Sequence, residues 1–199
     1  EYFKALLFTG NATFPADRWS YFESTESFNR FYGDGQALGY GVAVAGVEVV
    51  GRPDLPLHVR HVEPQSPAGV AGVVRGDQVL ALNGRPASEL ISANDFSLLT
   101  AERSGQTLAL LLQGTGGQRT VTLAAAVYRL SPVPRSAVVY TPGGRPVGYL
   151  MVKDMITQAI TPATEAFSRF RAAGVRELVV DLRYNGGGLV SVGRDLASL

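Results

Sequence analysis

Asp181-Leu182-Arg183-Tyr184-Asn185-Gly186-Gly187-Gly188 is the stretch on which the fold of this 199-residue chain turns. Ahead of it, residues 177–180 form a short apolar run bounded by charge, the pattern of a buried strand in a helix-covered sheet. Behind it, residues 189–199 can form a helix. Consecutive glycines between a strand and a helix let the backbone approach a ligand closely and expose N–H groups where negative charge is stabilised. Such donors make an oxyanion hole, although a tight strand-to-helix connection accounts for the same residues without chemistry. A phosphate cradle is a poor match, because no Gly-Lys-Ser/Thr follows and no Gly-x-Gly-x-x-Gly spacing occurs.

The pattern Asp-Leu-Arg-x-Asn-x-Gly-Gly resembles the hallmark of the carboxyl-terminal processing, or tail-specific, serine peptidases. The resemblance implies a crotonase-like α/β core in which a glycine N–H of this turn helps hold the tetrahedral oxyanion. Gly186 and Gly187 are equally candidates for that donor. Asp181, Arg183 and Asn185 are expected to pin the loop through hydrogen bonds.

Upstream of the turn, residues 137–141 and 146–152 read as a hairpin across Pro142-Gly143-Gly144-Arg145. Thr161 and Pro162 open a helix whose Ala163, Ala166, Phe167 and Phe170 share one face, and Gly174 ends it. Strand, helix, strand and glycine turn thus follow in the order of a βαβ-type core. Residues 147–152 also resemble the first core strand of the same peptidases.

Earlier still, Gly39-Tyr40-Gly41-Val42 has the Gly-apolar-Gly-apolar form of the carboxylate-binding loop of PDZ domains, followed by an apolar run to Val50. Glycines let successive backbone amides converge on a terminal carboxylate, and the next strand offers its edge to an incoming peptide. The context matches: a strand over residues 57–62, Ser66 and Pro67 as N-cap and first-turn proline of a short helix ending near Gly72, then Arg75-Gly76-Asp77, a strand over 78–82 and the tight turn Asn83-Gly84. This run resembles the PDZ domains attached to bacterial proteases. A second helix is predicted from Ser92 to near Gly105, with Asp95 reciprocating the cap and Ile91 stapled onto Phe96. Residues 107–113 and 118–127 read as strands joined across Gly114-Thr115-Gly116-Gly117. The expected peptide groove lies between the strand after Gly41 and the helix carrying Phe96, Leu99 and Thr100.

Residues 1–34 are dense in aromatics, among them Phe3, Phe14, Trp19, Phe22, Phe28 and Tyr32, and read as a small helical piece packed on something. Asp17-Arg18-Trp19-Ser20-Tyr21 resembles the segment that precedes the peptide-binding module in the same peptidases. The chain carries 18 Lys plus Arg against 17 Asp plus Glu, without a basic run, so neither nucleic acid nor an anionic membrane is implied. Absence of cysteine removes disulfides, thiolate metal sites and a cysteine nucleophile. His58 and His61, three apart on a strand, point to opposite faces, so no metal and no cofactor is expected.

The family's serine nucleophile and lysine base lie downstream of the glycine motif, and neither Ser191 nor Ser198 matches that nucleophile. Lys4 and Lys153 are the chain's lysines, and neither matches the base; Lys153 is expected to be a solvated strand-end residue. With residues 195–199 breaking off inside an apparent helix, the chain is expected to be part of a longer protein and to be inactive by itself. The combined reading is an α+β chain: a helical segment (1–34), a PDZ domain of small barrel-like sheet and two helices (35–127), and the start of a crotonase-like peptidase core (128–199). The implied protein is an extracytoplasmic endopeptidase that captures the free carboxyl terminus of a polypeptide and cleaves nearby. A non-catalytic peptide-binding module and a ligand carrier on the same scaffold are the alternatives.

Overall fold

A computed structural model of the chain describes residues 2–17, 20–44 and 49–199. Arg18 and Trp19 of the aromatic motif, and residues 45–48 of the apolar run, lie outside the described residues. Two helical pieces, α1 (Tyr2–Leu6) and α2 (Thr25–Phe28), precede the first sheet, and α2 continues into a single π-type turn, Asn29–Gly33. Helices this short cannot wrap a core. Aromatic rings in this segment instead meet one another, Phe3 edge-on with Phe22 at 5.3 Å and Phe28 tilted against Tyr32 at 4.6 Å, while Tyr2, Phe14, Tyr21 and Phe22 remain largely exposed.

The central sheet has the order β2 (Val42–Val44), β3 (Leu57–Val62), β4 (Gln78–Leu82), β6 (Thr107–Gly114) and β7 (Gly117–Ala124), with β5 (Arg85–Pro86) paired to β4. Its neighbouring strands are antiparallel, β2 ends the sheet, and the sheets are not closed into a barrel. Leu57, Val59, Val79, Leu82, Leu108, Leu110 and Leu112 fill one core with Tyr40, Leu90 and Ile91. Each such side chain contributes about 1.5–3 kcal/mol by leaving water. Ser66 caps α3 (Pro67–Val70) as the sequence predicts, its Oγ accepting from the Gly69 amide at 3.2 Å.

The next helix is not where the cap signals put it. It runs earlier, as α4 (Ala87–Ala93), and stops at Asn94, whose left-handed backbone (φ 48°) ends it. Asp95 therefore does not reciprocate a cap at Ser92. It bonds the Ser97 amide (3.1 Å) and hydroxyl (2.6 Å) and pairs with Arg85, opening a 3-10 turn, Ser97–Leu99. Phe96 and Leu99 reach the core from this turn rather than from a helix face. The single strand expected over 118–127 also breaks, at Ala125, whose amide donates to the Gln106 carbonyl. Beyond the break, β8 (Ala126–Arg129) pairs antiparallel with β1 (Gln36–Gly39) in a separate two-stranded ribbon.

The third sheet has the order β11 (Glu177–Asp181), β10 (Pro146–Met151) and β9 (Arg135–Tyr140), with β10 and β11 parallel. Helix α5 (Ile160–Ala172) makes the crossover and packs Ala166 and Phe170 on Leu150 and Val152. Gly148 permits this contact, since a Cβ there would stand 3.0 Å from the Phe170 ring. β11 departs from the expected buried strand: Leu178, Val179 and Val180 are 41–50% exposed. It pairs on one side only, at the sheet's edge. Helix α6 (Val190–Ala197) follows the glycine turn.

Candidate functional site

The turn leaving β11 is held by directional bonds. Arg183 forks onto Asp181, Nη2 to Oδ2 at 2.6 Å and Nε to Oδ1 at 3.0 Å, and Tyr149 donates its hydroxyl to the same carboxylate at 2.6 Å. The Arg183 guanidinium foremost, with the Tyr149 hydroxyl and the Arg183 amide, holds the Asp181 carboxyl far below the usual carboxylate range. Asn185 spans the turn: its Nδ2 donates to the Val152 carbonyl at 3.2 Å, and its Oδ1 accepts from the Gly187 amide at 2.7 Å. Gly187 and Gly188 take φ values of 97° and 141°, and a Cβ on Gly188 would lie 2.3 Å from the Met155 carbonyl oxygen. That close approach is what the glycine permits, with Met155 donating to the Gly187 carbonyl (3.0 Å) and accepting from the Leu189 amide (2.8 Å).

The two expected amide donors are consequently not equivalent. The Gly187 N–H is occupied by Asn185, whereas the Gly186 N–H meets no acceptor among the described residues and Gly186 lines an open cleft.

This cleft, of about 500 Å³, separates the two larger sheets. One wall is Gly41 and β2, with His61 and Glu63; the other is Lys153, Arg183, Tyr184, Asn185 and Gly186. Gly41 has φ 73°, and a Cβ on it would overlap Ser66 at 1.9 Å. The carbonyls of Tyr40 and Gly41 turn inward, accepting from the Ala68 and Glu63 amides at 2.9 Å each. The Tyr40 and Gly41 amides find no acceptor among the described residues. Gly39 is tied into the ribbon opposite Ala126, and the Tyr40 ring is buried in the core. Of the residues assigned to the peptide groove, Gly41 and Val42 border the cleft. Phe96 and Leu99 pack on the core, and Thr100 lines another hollow beside β1 and α2.

Lys153 is not the solvated residue expected from the sequence. It is nearly buried across the cleft floor, its Nζ 2.8 Å from Glu63 Oε1 and also bonded to Asp154. His61 Nε2 stands 3.3 Å from Glu63 Oε1, and the Ser131 amide donates to Glu63 Oε2 at 3.0 Å. Burial alone would raise the Glu63 carboxyl, but His61, Lys153 and the Ser131 amide outweigh it and leave it below the usual range. Burial likewise works to lower Lys153, and the Glu63 and Asp154 carboxylates leave it raised. Desolvation, with the same two carboxylates, pushes the Tyr128 hydroxyl up to about 12. The available sequence signal was the spacing of His61 and Glu63, two apart and hence on one side of an extended chain.

Residues 36–113 match the sequence profile of the PDZ domain and residues 146–199 that of Peptidase family S41. The chain is 30% identical over 191 residues to the carboxyl-terminal-processing peptidase 1, chloroplastic, of Arabidopsis thaliana, covering 92% of this chain and 37% of that protein. It is 29% identical over 138 residues to a carboxyl-terminal-processing protease of a Picosynechococcus strain, covering 68% of this chain and 33% of that protein. The chain thus spans about a third of the length of these curated relatives. A solved photosystem II D1 C-terminal processing protease shares the fold, with a TM-score of 0.53 at 23% identity over 86% of this chain and 46% of that one. Among the described residues no helix is long and apolar enough to cross a membrane.

Proposed function

From a chain that belongs, by its PDZ domain and its Peptidase family S41 segment, with the carboxyl-terminal-processing proteases, we propose a protein that captures polypeptides by their free carboxyl ends and cleaves them. One observation carries this reading: Gly41 with the β2 edge, and the Gly186 amide, line the same cleft. A peptide added to the edge of β2 would extend that sheet by main-chain hydrogen bonds, its terminal carboxylate at the Tyr40 and Gly41 amides. The Gly186 amide is the donor we assign to the tetrahedral oxyanion, with Asp181, Arg183 and Asn185 as the residues that fix it. Gly187 is assigned no such role, because its amide already serves Asn185.

The family resemblance supplies the remaining assignments of the proposal: a serine nucleophile and a lysine base beyond residue 199, an extracytoplasmic location, and a division into 1–34, 35–127 and 128–199. Phe96, Leu99 and Thr100 stay outside the capture site in this proposal.

Binding and chemistry are tested separately. A peptide with an apolar free carboxyl end is expected to bind this chain, and its carboxamide to bind about 10–100-fold more weakly, the worth of a charge-assisted contact. Equal affinity for the two forms sinks the capture loop. In the full-length protein, Gly186→Pro, which deletes the donor, is expected to lower kcat about 10²–10³-fold relative to Gly186→Ala, which keeps it. Equal turnover by those two variants sinks the oxyanion assignment.

A further inference from the structure

Tyr184 occupies the variable place of the Asp-Leu-Arg-x-Asn pattern, where nothing in the motif requires an aromatic ring. Its side chain leaves the turn and crosses the cleft. Two guanidinium groups of the opposite domain approach its ring, Arg60 on β3 and Arg75 in the turn before β4, each 5.3 Å from the ring centroid. The His61 ring stands 6.3 Å away, and Arg75 Nη1 donates to the Tyr184 hydroxyl. Arg75 is itself oriented by the Arg60 carbonyl, which accepts from its Nη1 at 2.8 Å. Among the described residues, these partners of the Tyr184 ring and hydroxyl all belong to the PDZ side.

The backbone around it is short and stiff. Asn185 donates to the Leu182 carbonyl at 2.9 Å, which closes a tight turn with Tyr184 at its bend. The next residue is Asn185, whose side chain holds Gly187, and the next peptide carries the open Gly186 N–H. A displacement of Tyr184 therefore reaches the oxyanion donor through two peptide units with no free hinge between them. Asn185 and Asp181 fix this turn to its own sheet, and Tyr184 fixes it to the other one.

We infer that Tyr184 is a positioning residue, which sets the Gly186 amide through a cation–π clasp with Arg60 and Arg75 so that the donor is registered to the peptide-capturing sheet. The inference rests on the proposed role of Gly186. Guanidinium groups suit it, because they can sit against an aromatic ring while an N–H donates elsewhere, as Arg75 does to the Arg60 carbonyl. Registration of donor to capture strand is what a processing enzyme requires, since a misplacement of about 1 Å can cost some 10²-fold in rate.

The test uses this chain for geometry and the full-length protein for turnover. The Gly187 amide, held by Asn185, reports the turn through its hydrogen exchange. Tyr184→Leu and Arg75→Gln are each expected to speed that exchange roughly tenfold or more, and the double variant no further than either single one. Tyr184→Phe, which keeps the stacked ring, should stay within about threefold of the parent. The amides of β10 and β11 should keep their rates, which a general loss of stability would change. Unchanged Gly187 exchange in both single variants, or effects that multiply in the double variant, overturns the clasp. In the full-length protein, Tyr184→Leu should lower kcat about tenfold or more with KM within about threefold. Faster exchange with an unaltered kcat upholds the clasp and counts against Gly186 as the oxyanion donor, so the two readings fail separately.

Discussion

Two glycine turns face one another across the cleft; main-chain hydrogen bonds tie both, Tyr40 and Gly41 to Ala68 and Glu63, Gly187 and Leu189 to Met155, and the two differ in how their side chains are anchored. The turn at Gly39 to Val42 is rooted in a hydrophobic core by its own member Tyr40, which is 1% exposed among leucines and valines from five strands. The turn at Gly186 to Gly188 leaves an edge strand whose apolar side chains are about half exposed, and it is held by polar pins: Asp181 to Arg183 and Tyr149, Asn185 to Val152 and Gly187, Tyr184 to the neighbouring domain. Burial is strong but non-directional, so it fixes that a loop stays put without fixing the aim of an N–H. Hydrogen bonds contribute less each and define direction. In the function proposed above, a capture loop needs stability beneath it, whereas a donor aimed at a developing charge needs orientation, and the two turns suit those roles in that order.

The sharpest way to break this contrast is to remove apolar bulk from each side. Leu110 is fully buried in the core that Tyr40 joins, and Leu110→Ala should cost about 2–5 kcal/mol of unfolding free energy. Leu178, 41% exposed on β11, should cost under about 1 kcal/mol when truncated to Ala. Urea unfolding of the two variants measures the difference. Comparable losses would mean that the exposed face of β11 carries stability that its surroundings do not account for.

The core was legible in the sequence because alternation is a backbone property: Leu108, Leu110 and Leu112 lie on one face of β6 and are all buried. So were the Ser66 cap and the Asn83-Gly84 turn, whose φ values of 46° and 78° need those residue types. The second helix was misplaced because Ser92 to Asp95 carry a cap signal that competes with Asn94, and Asn94 in the left-handed region terminates a helix as readily as glycine does. Gly186 and Gly187 could not be separated from the sequence, since which amide remains open depends on where the Asn185 side chain points. Lys153 departs from a solvated strand end for a related reason: its partner Glu63 stands 90 positions earlier, and no local pattern reports a contact between segments so far apart in the chain.

A second prediction sharpens the comparison at the turns themselves. Asn185→Ala removes an acceptor from Gly187 and a donor from the Val152 carbonyl, and it should loosen the glycine turn after β11 by about 1–3 kcal/mol, read as faster exchange of the Gly187 amide. The peptide capture proposed at Gly41 should not change. Gly41→Ala should do the reverse, because its Cβ has no room against Ser66 and its φ of 73° disfavours a side chain: capture is lost and Gly187 exchange stays as it was. A variant that moved both readouts would show that the two turns are one mechanical unit, with no division of labour between burial and orientation.

The smallest expected effect is a change of slope at the Glu63–Lys153 pair, which joins the two regions beneath the cleft. Glu63 has a carboxyl below its ordinary value of 4.5, so its stabilising contribution is complete above that value and is lost as pH falls through the lower folded one. Lys153 is raised above its ordinary 10.5, so its contribution is complete below that value and is lost only as pH rises beyond it. Between the two the pair contributes a constant amount. Glu63→Gln removes the acid-side titration while Asp154 still accompanies Lys153, so the parent should lose stability more steeply than the variant below pH 4.5, and the two profiles should run parallel at neutral pH. Thermal unfolding across that range measures it. Parallel profiles at acid pH as well would mean that Glu63 titrates alike in the folded and unfolded chain, and the cleft floor would then join the two domains by packing, without help from charge.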